Sequence, residues 1–134
     1  MLSVLLIEDD LDHCDIIRDL LNAPNDGEFA VSCAHTVDEA TRLLAERDFS
    51  CVILGHNLPD GRGTDLLENA RDRLAGVPVI GLSTSRDPAV AIRDFQGGCV
   101  EFLQKHKVFT DGTLRERILA AVALFREHRQ GGAL

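Results

Sequence analysis

The stretch Cys51-Val-Ile-Leu-Gly-His-Asn-Leu-Pro-Asp-Gly-Arg-Gly63 opens with four apolar residues and turns polar after Gly55. An unbroken apolar run is what a strand covered on both faces requires, because a strand with one wet face alternates apolar and polar residues. Pro59-Asp60-Gly61 is turn chemistry, with a fixed φ, a side chain able to bond its own backbone, and a residue free of Cβ. The segment therefore predicts a buried third strand, Phe49 to Leu54, that delivers the chain into a polar loop.

The same signature recurs outward on both sides. Leu2 to Ile7 is nearly continuously apolar and stops at Glu8-Asp9-Asp10, a first strand. Leu11, Cys14, Ile16, Ile17, Leu20 and Leu21 then follow helical spacing until Asn22-Ala-Pro-Asn-Asp-Gly27 breaks it. Phe29 to Ala34 is a second strand, and Thr36 with Glu39 forms a capping box for a helix running to about Arg47. Beyond the quoted loop, Leu66, Leu67, Ala70 and Leu74 mark a third helix and Val77 to Leu82 a fourth strand. Asp87-Pro88 starts a fourth helix with Phe95 on its core face, and Gly97-Gly98 ends it. Cys99 to Leu103 is a fifth strand, and Thr110-Asp-Gly-Thr113 opens a last helix with a buried stripe of Leu114, Ile118, Val122 and Phe125. Strands and helices in strict alternation predict an α/β fold, a doubly wound parallel sheet with right-handed crossovers and helices on both faces. Residues 1–129 are expected to form one domain, with Gln130-Gly-Gly-Ala-Leu134 a loose tail or the start of a linker.

Composition narrows the class. A chain of 134 residues with 45% hydrophobic content can bury a continuous core without disulfide or metal staples. A net charge of −8, from 22 acidic and 14 basic residues, argues against nucleic acid as the main partner, since neutralising phosphates needs a basic face. No apolar run reaches the roughly 20 residues of a membrane span and the start lacks a secretory signal, so a cytoplasmic location is expected. Cys14, Cys33, Cys51 and Cys99 have no Cys-x-x-Cys spacing and read as small core residues.

In doubly wound sheets ligands sit beyond the carboxyl ends of the strands, where strand order reverses. That rim collects Glu8, Asp9 and Asp10, then Gly55 to Asn57, then Ser83 and Thr84, then Lys105 and His106. Clustered carboxylates with a backbone carbonyl suit Mg²⁺, and a hydroxyl with a lysine would hold phosphoryl oxygens.

With these residues in register, the chain from Leu2 to about Phe125 resembles the receiver domain of bacterial two-component response regulators. The resemblance implies a flavodoxin-like (βα)5 domain with sheet order 2-1-3-4-5. Glu8-Asp9 resembles the family's acidic metal-binding pair, Ser83 its switch hydroxyl, Phe102 its switch aromatic, Lys105 its invariant lysine, and Asn57-Leu-Pro-Asp-Gly61 the loop after its phosphoacceptor. The phosphoacceptor aspartate would stand two residues before Asn57, and there this chain has Gly55. Glycine can neither attack a phosphoryl donor nor ligate a metal. The resemblance thus points to a degenerate receiver: a non-enzymatic, phosphorylation-independent interaction module requiring no cofactor. A weak or vestigial Mg²⁺ site would remain at Glu8, Asp9 and Asn57, and a vestigial switch pocket at Ser83, Thr84, Phe102 and Lys105. Its partner would be another signalling protein or an output domain on the face of the fourth helix, fifth strand and fifth helix, and a homodimer is compatible with that face.

Other readings stand beside this one. Glu8-Asp9-Asp10 could be a solvated strand end with Asp10 capping the next helix, Ser83 and Thr84 could cap turns, and Lys105 could pair with Glu8 or Asp9 to neutralise a crowded acidic pocket. His56 and His106 read as solvent-facing loop histidines rather than metal ligands or phosphohistidines. Asp60 reads as a turn former. Arg115, Arg117, Arg126 and Arg129 read as a solvated face shared with Glu116 and Glu127. His106 replaces the proline that usually follows the family's lysine, which leaves the Lys105–His106 peptide either trans, with Lys105 aimed differently, or held cis by its surroundings. A receiver accepting phosphoryl at Asp60, Asp10 or His56 is one alternative function, and a small-ligand sensor using the emptied pocket is another.

Overall fold

Six consecutive residues, Leu2–Ile7, form β1, and the four from Val4 onward are completely buried. The computed structural model describes residues 1–22, 27–95 and 98–132, with 94, 111 and 127–132 given by backbone alone. Side chains alternate across a strand. Val4 and Leu6 therefore join one core, with Cys14, Ile17 and Leu21, while Leu5 and Ile7 join a second on the opposite face. Burying one such aliphatic side chain contributes roughly 1.5–3 kcal/mol.

After β1 come α1 (Leu11–Asn22), β2 (Phe29–Ala34), α2 (Val37–Glu46) and β3 (Cys51–Gly55). A two-residue hairpin follows, β4 (Asn57–Leu58) with β5 (Gly61–Arg62), and then α3 (Gly63–Asn69) and α4 (Arg71–Leu74). The second half holds β6 (Val79–Ser83), α5 (Pro88–Asp94), β7 (Glu101–Gln104), α6 (Lys105–Asp111) and α7 (Leu114–Gly132). Five strands pair in the order β2-β1-β3-β6-β7, all parallel. This is the expected flavodoxin-like order 2-1-3-4-5 once strands are counted as the sequence predicts them. One core binds α1 and α7 to the sheet, and the other holds residues of α2, α3 and α4 together with Phe95.

Local signals place the helix starts. Thr36 Oγ1 accepts from the Glu39 amide at 3.0 Å, one half of the expected capping box, but Glu39 Oε2 accepts from the His35 amide rather than from Thr36. Asp87 Oδ1 accepts from the Ala89 amide at 2.9 Å, with Pro88 at the first helical position.

Beyond one- and two-residue shifts in the bounds of the third and fourth strands, four expectations need correction. The third helix is two pieces, because Ala70 leaves helical geometry at φ −116° and ψ 27°. The fifth strand begins at Glu101, not Cys99, with the Val100 amide donating to Val79 O just before it. Lys105 and His106 do not lie in a loop: they begin α6, and Thr110 and Asp111 end that helix rather than opening the last one. Gly112, at φ +66°, closes α6 in the left-handed conformation that glycine adopts without a Cβ clash. Finally, α7 runs on to Gly132 through part of the expected loose tail. Residues 23–26, Gln96, Gly97, Ala133 and Leu134, which include parts of the expected breaks and tail, lie outside the described residues.

Among the described residues no helix is long and apolar enough to cross a membrane. All four cysteines are free, Cys14 and Cys51 buried and Cys33 and Cys99 partly so. Burial pushes the Cys51 and Cys99 thiols up to about 12, as small core residues would show.

Candidate functional site

The strand order reverses between β1 and β3, so Glu8 and Gly55 meet where their strands end. The Glu8 amide donates to Ala34 O at 2.9 Å, and its carbonyl lies 2.9 Å from His35 Nδ1 and 3.5 Å from Cys14 Sγ. With its backbone fixed by three elements, Glu8 turns its carboxylate inward and is only 1% exposed.

A buried carboxylate needs a partner. Lys105, the first residue of α6, supplies one: its Nζ lies 2.6 Å from Glu8 Oε1, with the two side chains 10% and 2% exposed. The same ammonium lies 3.1 Å from His13 Nδ1. An ammonium has donors only, so Nδ1 accepts and the imidazole proton sits on Nε2, facing Asp10 Oδ2 at 3.6 Å. Phe109 of α6 packs edge-on against the same ring at 5.1 Å.

Gly55 is where the sequence expects no side chain, and the space beside it is filled. A Cβ there would stand 2.9 Å from Ile7 O and 3.0 Å from Glu8 Oε2. The loop beyond also turns back tightly: the Gly63 amide donates to His56 O at 2.7 Å, and a Cβ on Gly63 would fall 2.1 Å from Gly55 O.

The remaining rim residues are engaged locally. Asp10 Oδ1 accepts from the Asp12 and His13 amides at 3.0 and 3.1 Å, capping α1 as the plainer reading expected. The His13 amide, foremost, holds the Asp10 carboxyl below the usual carboxylate range. Ser83 is buried and its Oγ accepts from the Ser85 amide at 3.1 Å, a turn-capping contact, while Thr84 is exposed. Asp9 and Asn57 are exposed, and Asn57 pairs through its backbone with Arg62. The Lys105–His106 peptide is trans, as are the others among the described residues.

As a magnesium centre this donor set does not fit. Glu8 is committed to an ammonium, Asp9 stands apart in solvent, and Gly55 adds no ligand. Among the described residues no group of three or more His, Cys, Asp or Glu side chains could hold a metal ion. Hard octahedral Mg²⁺ binds through free carboxylate oxygens, and a carboxylate already neutralised by lysine is a poor one.

Two residues, His56 and Arg115, sit otherwise than expected. His56 is half-buried rather than solvent-facing, its ring edge-on to Phe95 at 5.5 Å. Phe95 is fully buried and stacks toward Phe102 at 6.0 Å, so an aromatic run joins the rim to β7. Arg115 is no solvated residue: it pairs with Glu28 and stacks over Phe29 at 5.3 Å, while Arg117 pairs with Glu101 at 3.0 Å. Arg126 is exposed, and the Glu127 and Arg129 side chains lie outside the described residues. The sequence reading missed His13 and His35 altogether, although His13 falls one turn beyond the acidic run on α1 and so faces the site.

Asp60 does more than form a turn. Its Oδ1 and Oδ2 accept from the Val37 and Asp38 amides at 2.7 and 3.0 Å, so the loop after β3 caps α2 from outside. The Asp38 amide, then that of Val37, lowers the Asp60 pKa from 3.8. A carboxyl with a depressed folded pKa stabilises the fold above its unfolded value and loses that contribution as pH falls through the folded one. Asp60→Ala should therefore lower the Tm at pH 7, and the gap from the parent protein should narrow as pH drops below the ordinary value of 3.8. A gap that stays constant from pH 7 to pH 2.5 in thermal melts would sink the capping role.

Similarity to known proteins agrees with this geometry. The family model for the response regulator receiver domain matches residues 4–119. The probable transcriptional regulatory protein y4xI of Sinorhizobium fredii is 33% identical over 116 residues, 87% of this chain and 49% of that protein. The cell cycle transcriptional regulator CtrA of Caulobacter vibrioides is 30% identical over 129 residues, 96% of this chain and 54% of that protein. The chain thus spans about half the length of these curated relatives. Among solved structures, a CheY-like receiver domain from Methanospirillum hungatei superposes with a TM-score of 0.80 at 21% identity, covering 96% of this chain and 98% of that one. The receiver domain of sensor histidine kinase PA1611 from Pseudomonas aeruginosa, solved with a magnesium ion coordinated in its active-site cleft, gives 0.78 at 18% identity, covering 91% and 98%. With the parallel sheet, its reversal point and the family match over most of its length, this chain belongs to the response regulator receiver domain family.

Proposed function

We propose that this receiver domain works without accepting a phosphoryl group, as a non-enzymatic signalling module that acts by protein contact. The observation carrying the reading is the Glu8–Lys105 pair beside Gly55: the carboxylate that would ligate metal and the ammonium that would meet a phosphoryl group neutralise each other at 2.6 Å. A phosphoryl donor entering there would meet no nucleophile at position 55 and no free cation. Asp10, through Oδ1, and Asp60, through both oxygens, the acids considered as substitutes, accept from backbone amides at helix N-termini. A ligand sensor has less support, because Glu8 lies in the space Gly55 leaves.

The partner surface proposed is the face of α5, β7 and α7. A groove of about 360 Å³ there is lined by Pro88, Ile92, Phe102, Lys107 and Arg117 among others. Ile92 and Val100, 54% and 47% exposed, supply apolar area for a signalling protein, an output domain or a second copy. The aromatic run from His56 through Phe95 to Phe102 joins this face to the pocket.

The test is amide NMR of the protein titrated with Mg²⁺, then with acetyl phosphate or beryllofluoride. The amides of Glu8, Gly55, Ser83 and Lys105 are expected to stay in place. Saturable shifts confined to them would overturn the proposal.

A further inference from the structure

Beneath the pocket lies chemistry that phosphoryl signalling does not use. Cys33, next to last in β2, and Cys14, on the inner face of α1, belong to the same core cluster. Cys33 packs against the buried residues of that cluster, Cys14 among them. Arg18, one turn beyond Cys14 on α1, donates from Nη2 to Cys33 Sγ at 2.9 Å. A cation beside a partly exposed sulfur is the recognised surrounding of a reactive cysteine, and a second thiol packed into the same cluster is what a redox pair adds. Cys33 is partly exposed and Cys14 is 2% exposed, so an oxidant meets Cys33 first.

We propose that Cys33 and Cys14 form a peroxide-responsive dithiol, with Cys33 attacking the hydroperoxide and Cys14 closing the disulfide. In the first step the Cys33 thiolate displaces hydroxide from hydrogen peroxide: a sulfur–oxygen bond forms, the peroxide bond breaks, and Cys33 becomes a sulfenic acid. In the second the Cys14 thiol attacks that sulfur and water leaves with the Cys14 proton, so two thiols are oxidised by two electrons and one peroxide is reduced. Burial, foremost, pushes the Cys14 thiol up to about 12, which keeps it from reacting before Cys33.

The pair also has a route to the pocket. Cys14 Sγ donates to Glu8 O at 3.5 Å and lies 3.9 Å from His35 Nδ1, which contacts the same carbonyl. A disulfide removes the Cys14 S–H and draws its sulfur toward β2, so the backbone that aims Glu8 at Lys105 loses one of its holds.

Hydrogen peroxide treatment of the whole chain, followed by alkylation and peptide mass spectrometry, tests this. A Cys14–Cys33 cross-link with loss of two hydrogens is expected, while Cys51 and Cys99 stay reduced. In Cys14→Ser, dimedone should trap a sulfenic acid at Cys33, and Arg18→Met should slow oxidation of Cys33 about tenfold. The Glu8 amide resonance should move on oxidation of the parent protein and not of Cys33→Ser. Oxidation of Cys99, equally free and partly exposed but with no guanidinium on its sulfur among the described residues, at the rate of Cys33 would overturn the proposal. So would an Arg18→Met variant that oxidises as fast as the parent, a Cys33 that resists peroxide, or a Glu8 amide that does not move.

Discussion

Lys105→Ala is expected to destabilise the fold by about 3–5 kcal/mol, because it strands a charge rather than because it removes an attraction. Glu8 is 1% exposed, and the ammonium at 2.6 Å is the cation in hydrogen-bonding contact with its carboxylate. The net worth of a buried pair against apolar groups of equal volume is near zero, since desolvation of both charges offsets their attraction. Removing one partner leaves the whole desolvation cost of the other, out of a total stability of about 5–15 kcal/mol for a domain. A double variant, Glu8→Leu with Lys105→Met, should therefore fall within about 1.5 kcal/mol of the parent although Lys105→Ala alone does not. Urea denaturation of the three proteins gives the comparison. If Lys105→Ala costs less than about 1 kcal/mol, the pair is solvated and does not close the pocket.

Gly55→Asp is expected to weaken the protein and to leave it refractory to phosphodonors, although it places there the aspartate that the family resemblance implies. Its Cβ would meet the Ile7 carbonyl at 2.9 Å, a backbone atom that cannot swing aside, and Glu8 Oε2 at 3.0 Å. Overpacking of this kind costs about 1–3 kcal/mol, which Gly55→Ala measures on its own. The aspartate adds a second carboxylate beside Glu8, with Lys105 as the shared cation, and like charges so close cannot both ionise cheaply. Gly55→Asp should thus be less stable than Gly55→Ala. Combining it with Glu8→Ala should recover part of the loss, as the new carboxylate takes over Lys105. Robust Mg²⁺-dependent phosphorylation of Gly55→Asp alone, at parent stability, would mean that the pocket was never rebuilt around the glycine.

Both experiments depend on contacts that the sequence does not announce. Glu8 and Lys105 stand 97 positions apart, and their pairing was one of several readings of a lysine near three acids. Distance along the chain carries no information about which of Glu8, Asp9 and Asp10 turns inward. That depends on the Glu8 amide bonding to β2, while Asp10 turns to cap α1. His56 could be read as a loop residue because its packing partner, Phe95, comes 39 positions later, at the end of α5. Helix α6 was hidden by its shortness, seven residues with two apolar ones, Val108 and Phe109, too few for a periodic signal.

What the sequence determined by itself is what repeats locally: continuous apolar strands, the Thr36 and Asp87 caps, and hence a doubly wound parallel sheet, its strand order coming from the family resemblance. These are legible because strand and helix periods are properties of neighbouring residues. The absence at position 55 was equally plain. Only the tertiary structure decided that this absence is filled rather than empty, with the Glu8 carboxylate beside Gly55 and bound to Lys105. The physical reason is that a buried charge takes the nearest compensating charge in space, and nearness in space is created by packing strands and helices, not by spacing along the chain.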